Sequence, residues 1–242
     1  MRVAVISDIH ANLRALEAVL AAIDLEQPEA LWCLGDIVGY GPKPNECCAL
    51  VETRANVCLC GNHDLAVRGT IDLIEFSGDA AVAAGWTRSV LDDDARVFLE
   101  SLQPQLTMEG IALFHGSARD PVWEYVLSDE AAIATLMLTA EPVVLVGHSH
   151  VALQVVLREK TLDGGLAPAG TELEVGDARA LLNPGSVGQP RDGDPRAAWL
   201  LLDLVAQRAS FRRVDYDVHA TQAEMREAGL PDALALRLAE GV

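Results

Sequence analysis

Positive charge is scarce in this 242-residue chain: 18 Lys and Arg stand against 36 Asp and Glu, for a formal net charge of −18. Such a surface repels phosphate backbones at long range. No basic run or basic–aromatic interleaving offsets it, so no stable binding of duplex nucleic acid is expected. Long apolar runs are missing as well. None approaches the roughly 20 residues that span a bilayer, so no membrane partner is expected. There is no N-x-[ST] sequon, and a strand beginning at residue 2 leaves no place for a signal peptide. The five cysteines are an odd number without a C-x-x-C pair. Cys33, Cys58 and Cys60 fall in apolar runs read as buried strands, where cysteine serves as a small hydrophobe. A reduced, cytoplasmic protein is the expectation. Several catalytic spacings are absent too. H-E-x-x-H does not occur, and the stiff loop 39–44 has neither P-loop nor dinucleotide spacing. The cysteines do not form a zinc-knuckle pattern. Gly147-His148-Ser149-His150-Val151 ends in Val where a nucleophile elbow needs Gly.

Half of the chain is apolar, enough for a full core without staples. No linker, repeat or low-complexity block divides it, so residues 1–242 are read as one domain. Strand 2–6, a helix from Asn12 to about 27, and strand 30–34 make a βαβ unit with parallel strands. A short helix at 45–53 and a strand at 56–60 follow. Residues 65–103 are helical, with Asp92-Asp93-Asp94 favouring the dipole at a helix start. Glu109-Gly110 joins a hairpin of 105–108 and 111–114. A helix at 128–139, strands at 143–146 and 151–157, and a Gly-rich loop at 160–171 come next. Strands near 171–175, 178–183, 197–204 and 208–214 and two short helices close the chain.

What the chain does have is histidine in unusual places. Five of its six histidines sit where an apolar run gives way to ligand-type residues. These run ends are Ser7-Asp8-Ile9-His10, Gly35-Asp36, Gly61-Asn62-His63-Asp64, His115-Gly116 and Gly147-His148-Ser149-His150. On an extended strand, residues i and i+2 point the same way, so Asp8/His10 and His148/His150 form pairs. Strand carboxyl ends in an open α/β sheet border the ligand crevice. Carboxylates and imidazoles without thiolate suit Mn, Fe, Zn or Co. Seven such ligands are too many for one ion and right for two that share a carboxylate, about 3.5–4 Å apart. Water held between two such ions loses its proton near neutral pH, at a pKa of roughly 7, and becomes a nucleophile.

These five motifs, in this order across residues 8–150, resemble those of the calcineurin-like metallophosphoesterases. The stretch 183–191 is similar to the closing loop of the small bacterial and archaeal branch. The resemblance implies an α/β fold, a four-layer αββα sandwich with a dinuclear metal site. One ion would be held by Asp8, His10, Asp36 and His150, the other by Asp36, Asn62, His115 and His148. His63 would stabilise the phosphoryl group and protonate the leaving oxygen, and Asp64 would orient it. The implied cofactors are two divalent transition-metal ions, Mn foremost, with Fe, Zn, Co or Ni as alternatives. The implied activity is hydrolysis of phosphodiesters or phosphomonoesters of small soluble substrates by a hydroxide bridging the metals. A phosphoprotein phosphatase is an alternative. So is a non-catalytic scaffold like the retromer subunit of this fold, although this chain retains His63.

Other residues leave two readings open. Asn12 is a helix N-cap or a substrate contact. Asp64 also suits a helix N-cap. Tyr40 stacks on substrate or gates the site. Arg119 and Arg191 bind substrate, Arg191 as a bidentate phosphate clamp, or form surface ion pairs. Asp192-Gly193-Asp194-Pro195 reads as a turn, and His219 as a surface helix residue.

Overall fold

The computed structural model describes residues 1–76, 78–159, 161–176 and 178–242. The chain opens with β1 (Arg2–Ile6), α1 (Leu13–Glu26), β2 (Ala30–Cys33), α2 (Pro44–Arg54) and β3 (Val57–Cys58). β1–β2 and β2–β3 are parallel, as helical crossovers require. Asn12 caps α1 by accepting from the Ala15 N–H, and Leu16, Val19, Leu20 and Ile23 bury one helix face. Three helices follow: α3 (Asn62–Val67), α4 (Gly78–Val90) and α5 (Asp93–Glu100). Asp92 caps α5 from outside.

β4 (Gln105–Met108) and β5 (Ile111–Phe114) form a hairpin whose two turn residues, Glu109 and Gly110, have φ of 51° and 74°, the left-handed pair of a tight hairpin turn. Next come α6 (Asp129–Leu138), β6 (Val143–Leu145), β7 (Ala152–Arg158), β8 (Thr161–Leu166), β9 (Glu172–Glu174) and β10 (Arg179–Pro184). β11 (Ala197–Asp203), β12 (Arg208–Val214), α7 (Val218–Glu227) and α8 (Asp232–Leu236) complete the chain.

The loop expected at 160–171 is largely β8, antiparallel to β7 with Leu162 opposite Leu157; Lys160 lies outside the described residues. Its glycines indicate close backbone approach rather than a loop. A Cβ on Gly164 would come within 2.5 Å of the Gln154 carbonyl, a recognised use of glycine inside strands.

Two six-stranded sheets result, in the orders β3-β2-β1-β11-β12-β9 and β4-β5-β6-β10-β7-β8. Alternation along each strand assigns the layers. Val3, Val5, Trp32, Ile111, Leu113, Leu145, Leu182 and Leu200 meet between the sheets. Ala4 and Ile6 face outward onto α1, α2 and α5, while Ala112, Val144 and Leu181 face α6. The order helix–sheet–sheet–helix is the expected sandwich. Among the described residues, no helix is long and apolar enough to cross a membrane.

Candidate metal centre and active site

The segments after β1, β2, β5 and β6 and the first turn of α3 converge on one edge of the sandwich. The extended i, i+2 pairing expected there is not what aims the side chains. β1 stops at Ile6, and Asp8, His10, Asp36, His148 and His150 have φ between 50° and 63°. Left-handed backbone at non-glycine residues costs roughly 1–3 kcal/mol each. Turns with that twist, not the strand pleat, bring the acids and imidazoles inward. Backbone bonds hold the turns: Asp8 N–H to Gly35 O at 3.0 Å, His10 N–H to Asp36 O at 2.9 Å and Gly188 N–H to Asp8 O at 2.9 Å. Gly61 is required by proximity, since a Cβ there would run into the Asp36 carboxylate and the His115 ring.

Four imidazoles have one nitrogen committed to a backbone carbonyl. His10 Nδ1 faces Val38 O at 3.1 Å, His115 Nδ1 faces Leu34 O at 2.9 Å and His150 Nδ1 faces Gln189 O at 2.6 Å. His148 Nε2 faces Trp123 O at 3.1 Å. A carbonyl only accepts, so each of these nitrogens is the N–H, and the other nitrogen of each neutral ring turns inward as a lone pair. Inward nitrogens then meet at short range: His10 Nε2 and His150 Nε2 at 3.0 Å, His115 Nε2 and His148 Nδ1 at 3.2 Å. Lone pairs facing at that distance repel unless a cation or proton lies between them.

The carboxylates tell the same story. Asp8 Oδ2 accepts the His148 N–H and Asp36 Oδ1 accepts the His63 N–H. Asp8 Oδ1 and Asp36 Oδ2 are buried with no hydrogen-bond partner among the described residues. Asp36 Oδ2 stands 3.6 Å from His10 Nε2 and 3.4 Å from His115 Nε2, and Asp8 Oδ1 stands 3.5 Å from His150 Nε2. Two buried acceptors left open among lone pairs fit bound cations. The donors fall into two sets, Asp8/His10/Asp36/His150 and Asp36/His115/His148, sharing Asp36. Asn62 Oδ1 adjoins the second, 3.3 Å from His115 Nε2.

Without cations, a proton substitutes in part. Burial works against charging His115, but Asp36 and Asp8 outweigh it and hold the ring up at about 9. Burial also pushes Asp36 upward, but His115 and His63 outweigh it and hold the carboxyl well below its usual range. Burial alone dominates at Asp8, pushed up to about 7, and at His148, pulled down to about 3.

His63 belongs to neither donor set. Its ring packs 4.4 Å from Tyr40 and 4.8 Å from Phe76, and its buried Nδ1 has no partner among the described residues. Burial pulls it down to about 4. Asp64 makes no hydrogen bond to that ring. Asp64 is the third residue of α3 rather than its cap, and its carboxylate accepts from the backbone N–H groups of Ile37, Val38 and Gly61 at 3.0, 3.1 and 2.9 Å. The carboxylate fastens the loop after β2 to the start of α3, and burial with Asp36 nearby pushes it up to about 7.

An open cavity of about 160 Å³ lies over this centre, with Asp36, Asn62, His63, His148 and His150 at its base. Tyr40 is a buried wall of the cavity, 4.6 Å from His10. Arg191 reaches the cavity without an acidic partner among the described residues. It donates to Gln189 Oε1 at 2.9 Å, lies over the Tyr40 ring at 5.8 Å and leaves its buried Nε unbonded. Arg119 points elsewhere, paired with Glu124 and Glu130. Asn12 is not a substrate contact either. It is buried, with Oδ1 on the α1 cap and Nδ2 donating to Gly188 O at 2.9 Å.

Sequence reasoning missed two groups. Asn183 donates to Gly147 O at 2.7 Å and Ser186 to Asp8 O at 2.7 Å, so the closing loop holds both pairs of ligand turns in place. Phe76, Trp123 and Tyr125 line the cavity mouth. The only signal for the last two was a Trp-Glu-Tyr cluster in a chain that is 5% aromatic.

Comparison with known proteins agrees with this geometry. Residues 1–207 match the model of the calcineurin-like phosphoesterase superfamily domain. The chain is 36% identical over 241 residues to an uncharacterized protein of Methanocaldococcus jannaschii, covering 98% of this chain and 96% of that one. It is similar to the crystal structure of a metallophosphoesterase from Sphaerobacter thermophilus, at TM-score 0.90 and 43% identity over 100% of both chains. A hypothetical protein from Pyrococcus horikoshii shares the fold at TM-score 0.80 and 22% identity, covering 100% of this chain and 98% of its own. With its buried Asp/His centre at the edge of a two-sheet sandwich, this chain belongs to the calcineurin-like phosphoesterase superfamily.

Proposed function

We propose that the protein hydrolyses phosphodiester or phosphomonoester bonds of small soluble phosphate compounds at a centre of two divalent transition-metal ions. The observation that carries this reading is the pair of unpartnered buried oxygens, Asp8 Oδ1 and Asp36 Oδ2, set among four inward imidazole nitrogens. Asp8, His10, Asp36 and His150 would hold one ion, and Asp36, Asn62, His115 and His148 the other. The imidazole-rich donor set favours Mn, with Fe, Zn, Co or Ni as alternatives, over Mg. Bound there, the ions would supply Lewis-acid polarisation of the phosphoryl group and an activated water nucleophile.

The chain's own residues do the rest. The His63 N–H fixes one oxygen of Asp36 and leaves the other facing both donor sets. The His63 ring borders the cavity and offers an N–H to the phosphoryl oxygens and a proton to the leaving oxygen. Burial, with Arg191 and His115 nearby, pulls that ring down to about 4. The negative charge of a bound phosphate group favours its protonated form. A net charge of −18 turns away polyanions and leaves small phosphates as the preferred class. The five free cysteines support a reducing, cytoplasmic setting.

The test is divalent-metal content after purification, followed by hydrolysis of bis-p-nitrophenyl phosphate and p-nitrophenyl phosphate with added Mn²⁺. Bound metal with turnover of either ester supports the reading. A protein that takes up no divalent metal refutes it. One that is loaded with metal and inert on both esters is a binding scaffold instead.

A further inference from the structure

The base of the cavity is polar, but its mouth is aromatic. Phe76, Trp123 and Tyr125 line it, and none of them joins any of the four apolar clusters of the described residues. In a chain with four Phe, four Trp and three Tyr, three aromatics at one opening are not there to build a core. Their placement is specific. The Phe76 ring lies 4.8 Å from His63 and 5.3 Å from Trp123. Tyr125 lies flat on His148, 4.0 Å and 10° away, and is 47% exposed. His63 and His148 border the place of reaction, so a group resting on these rings is adjacent to the phosphoryl position. Exposed π-faces at a ligand opening gain most when another flat ring covers them, because stacking adds to the apolar area removed from water.

We infer that the alcohol side of the substrate carries a planar ring that stacks on Phe76, Trp123 and Tyr125. The substrate is then a phosphate ester of a nucleoside or aryl-bearing alcohol, not of a bare sugar, polyol or alkyl chain. The inference rests on the hydrolytic reading above and narrows it to one class of ester.

Two matched pairs test it with the Mn²⁺-loaded protein. AMP and ribose 5-phosphate share the phosphate and the leaving group and differ in the base. 2-Phenylethyl phosphate and hexyl phosphate are both alkyl esters and differ in the ring. Each is offered as the monoester and as its methyl diester. The expected result is a preference in kcat/KM for the ring-bearing member of about 10–100-fold, as stacking of one base typically gives. The AMP pair reports a nucleoside source and the phenylethyl pair an aryl one; a preference in either supports the inference. In Trp123→Leu and Phe76→Leu, which keep an apolar side chain without a ring, the preference should collapse toward unity, mainly through KM. A wild-type ratio near one in both pairs overturns the inference without recourse to the variants. So does a ratio that survives in both variants, each verified as folded by its melting temperature. If no ester of any kind is hydrolysed, the hydrolytic reading falls, and this inference with it.

Discussion

Removing the Asp64 carboxylate should lower stability far more than its distance from any ligand would suggest. The side chain is fully buried and accepts three backbone N–H groups, from Ile37, Val38 and Gly61. Asp64→Ala leaves all three donors without a partner, and each buried orphan costs about 1–3 kcal/mol. Removing a carboxylate that burial already disfavours, pushed up to about 7, returns part of that cost. A net loss of about 3–5 kcal/mol follows, at the upper end of what single substitutions do. For a chain of this size about 2–4 °C of melting temperature accompanies each kcal/mol, so Asp64→Ala should melt about 6–20 °C lower. Asp64→Asn keeps one carbonyl for Ile37 and Val38 and sets an NH₂ against the Gly61 N–H, a loss of about 1–3 kcal/mol. The assay is thermal unfolding by circular dichroism at matched metal content, with kcat measured on the same samples. The order wild type, Asn, Ala in melting temperature is expected. If Asp64→Ala melts within about 2 °C of wild type while kcat falls as it does in His63→Ala, the carboxylate acts on the imidazole and the role assigned here is wrong.

Asp36→Asn should lose more divalent metal and more activity than any other single ligand substitution, because Asp36 alone joins both donor sets; metal content by mass spectrometry and rates on p-nitrophenyl phosphate check this. Chelator should abolish activity, and Mn²⁺ should restore it better than Mg²⁺, since imidazole-rich donor sets favour the softer ion; full activity in EDTA would contradict the metal centre. His63→Ala should keep both ions and the fold while losing about 10²–10⁴-fold in rate. That loss should be greater for alkyl than for p-nitrophenyl leaving groups, and an equal loss across a leaving-group series would reduce His63 to an electrostatic role.

The chemistry of the centre was legible in the residues themselves. Apolar runs that stop at Asp, His and Asn mark which side chains gather at the sheet edge, although left-handed turns rather than strand alternation aim them there. The βαβ start, the hairpin at Glu109-Gly110 and the capping Asn12 and Asp92 could be read the same way, each from local backbone preference. What no local pattern carried was the partner of each polar group. Asp64 reads as a cap or as a partner of His63, and only the fold brings the Ile37 and Val38 N–H groups to it. Arg119 and Arg191 look alike in sequence, yet Glu124 and Glu130 claim the first while the closing loop turns the second into the cavity. Gly164 signals a turn until the neighbouring strand shows why no Cβ fits. Composition and periodicity decide which face a residue takes. Hydrogen-bond partners, left-handed turns and the aromatic mouth depend on segments distant in the chain, 27 residues for Ile37 and Asp64 and 140 for His10 and His150, and only the packing of the fold brings those together.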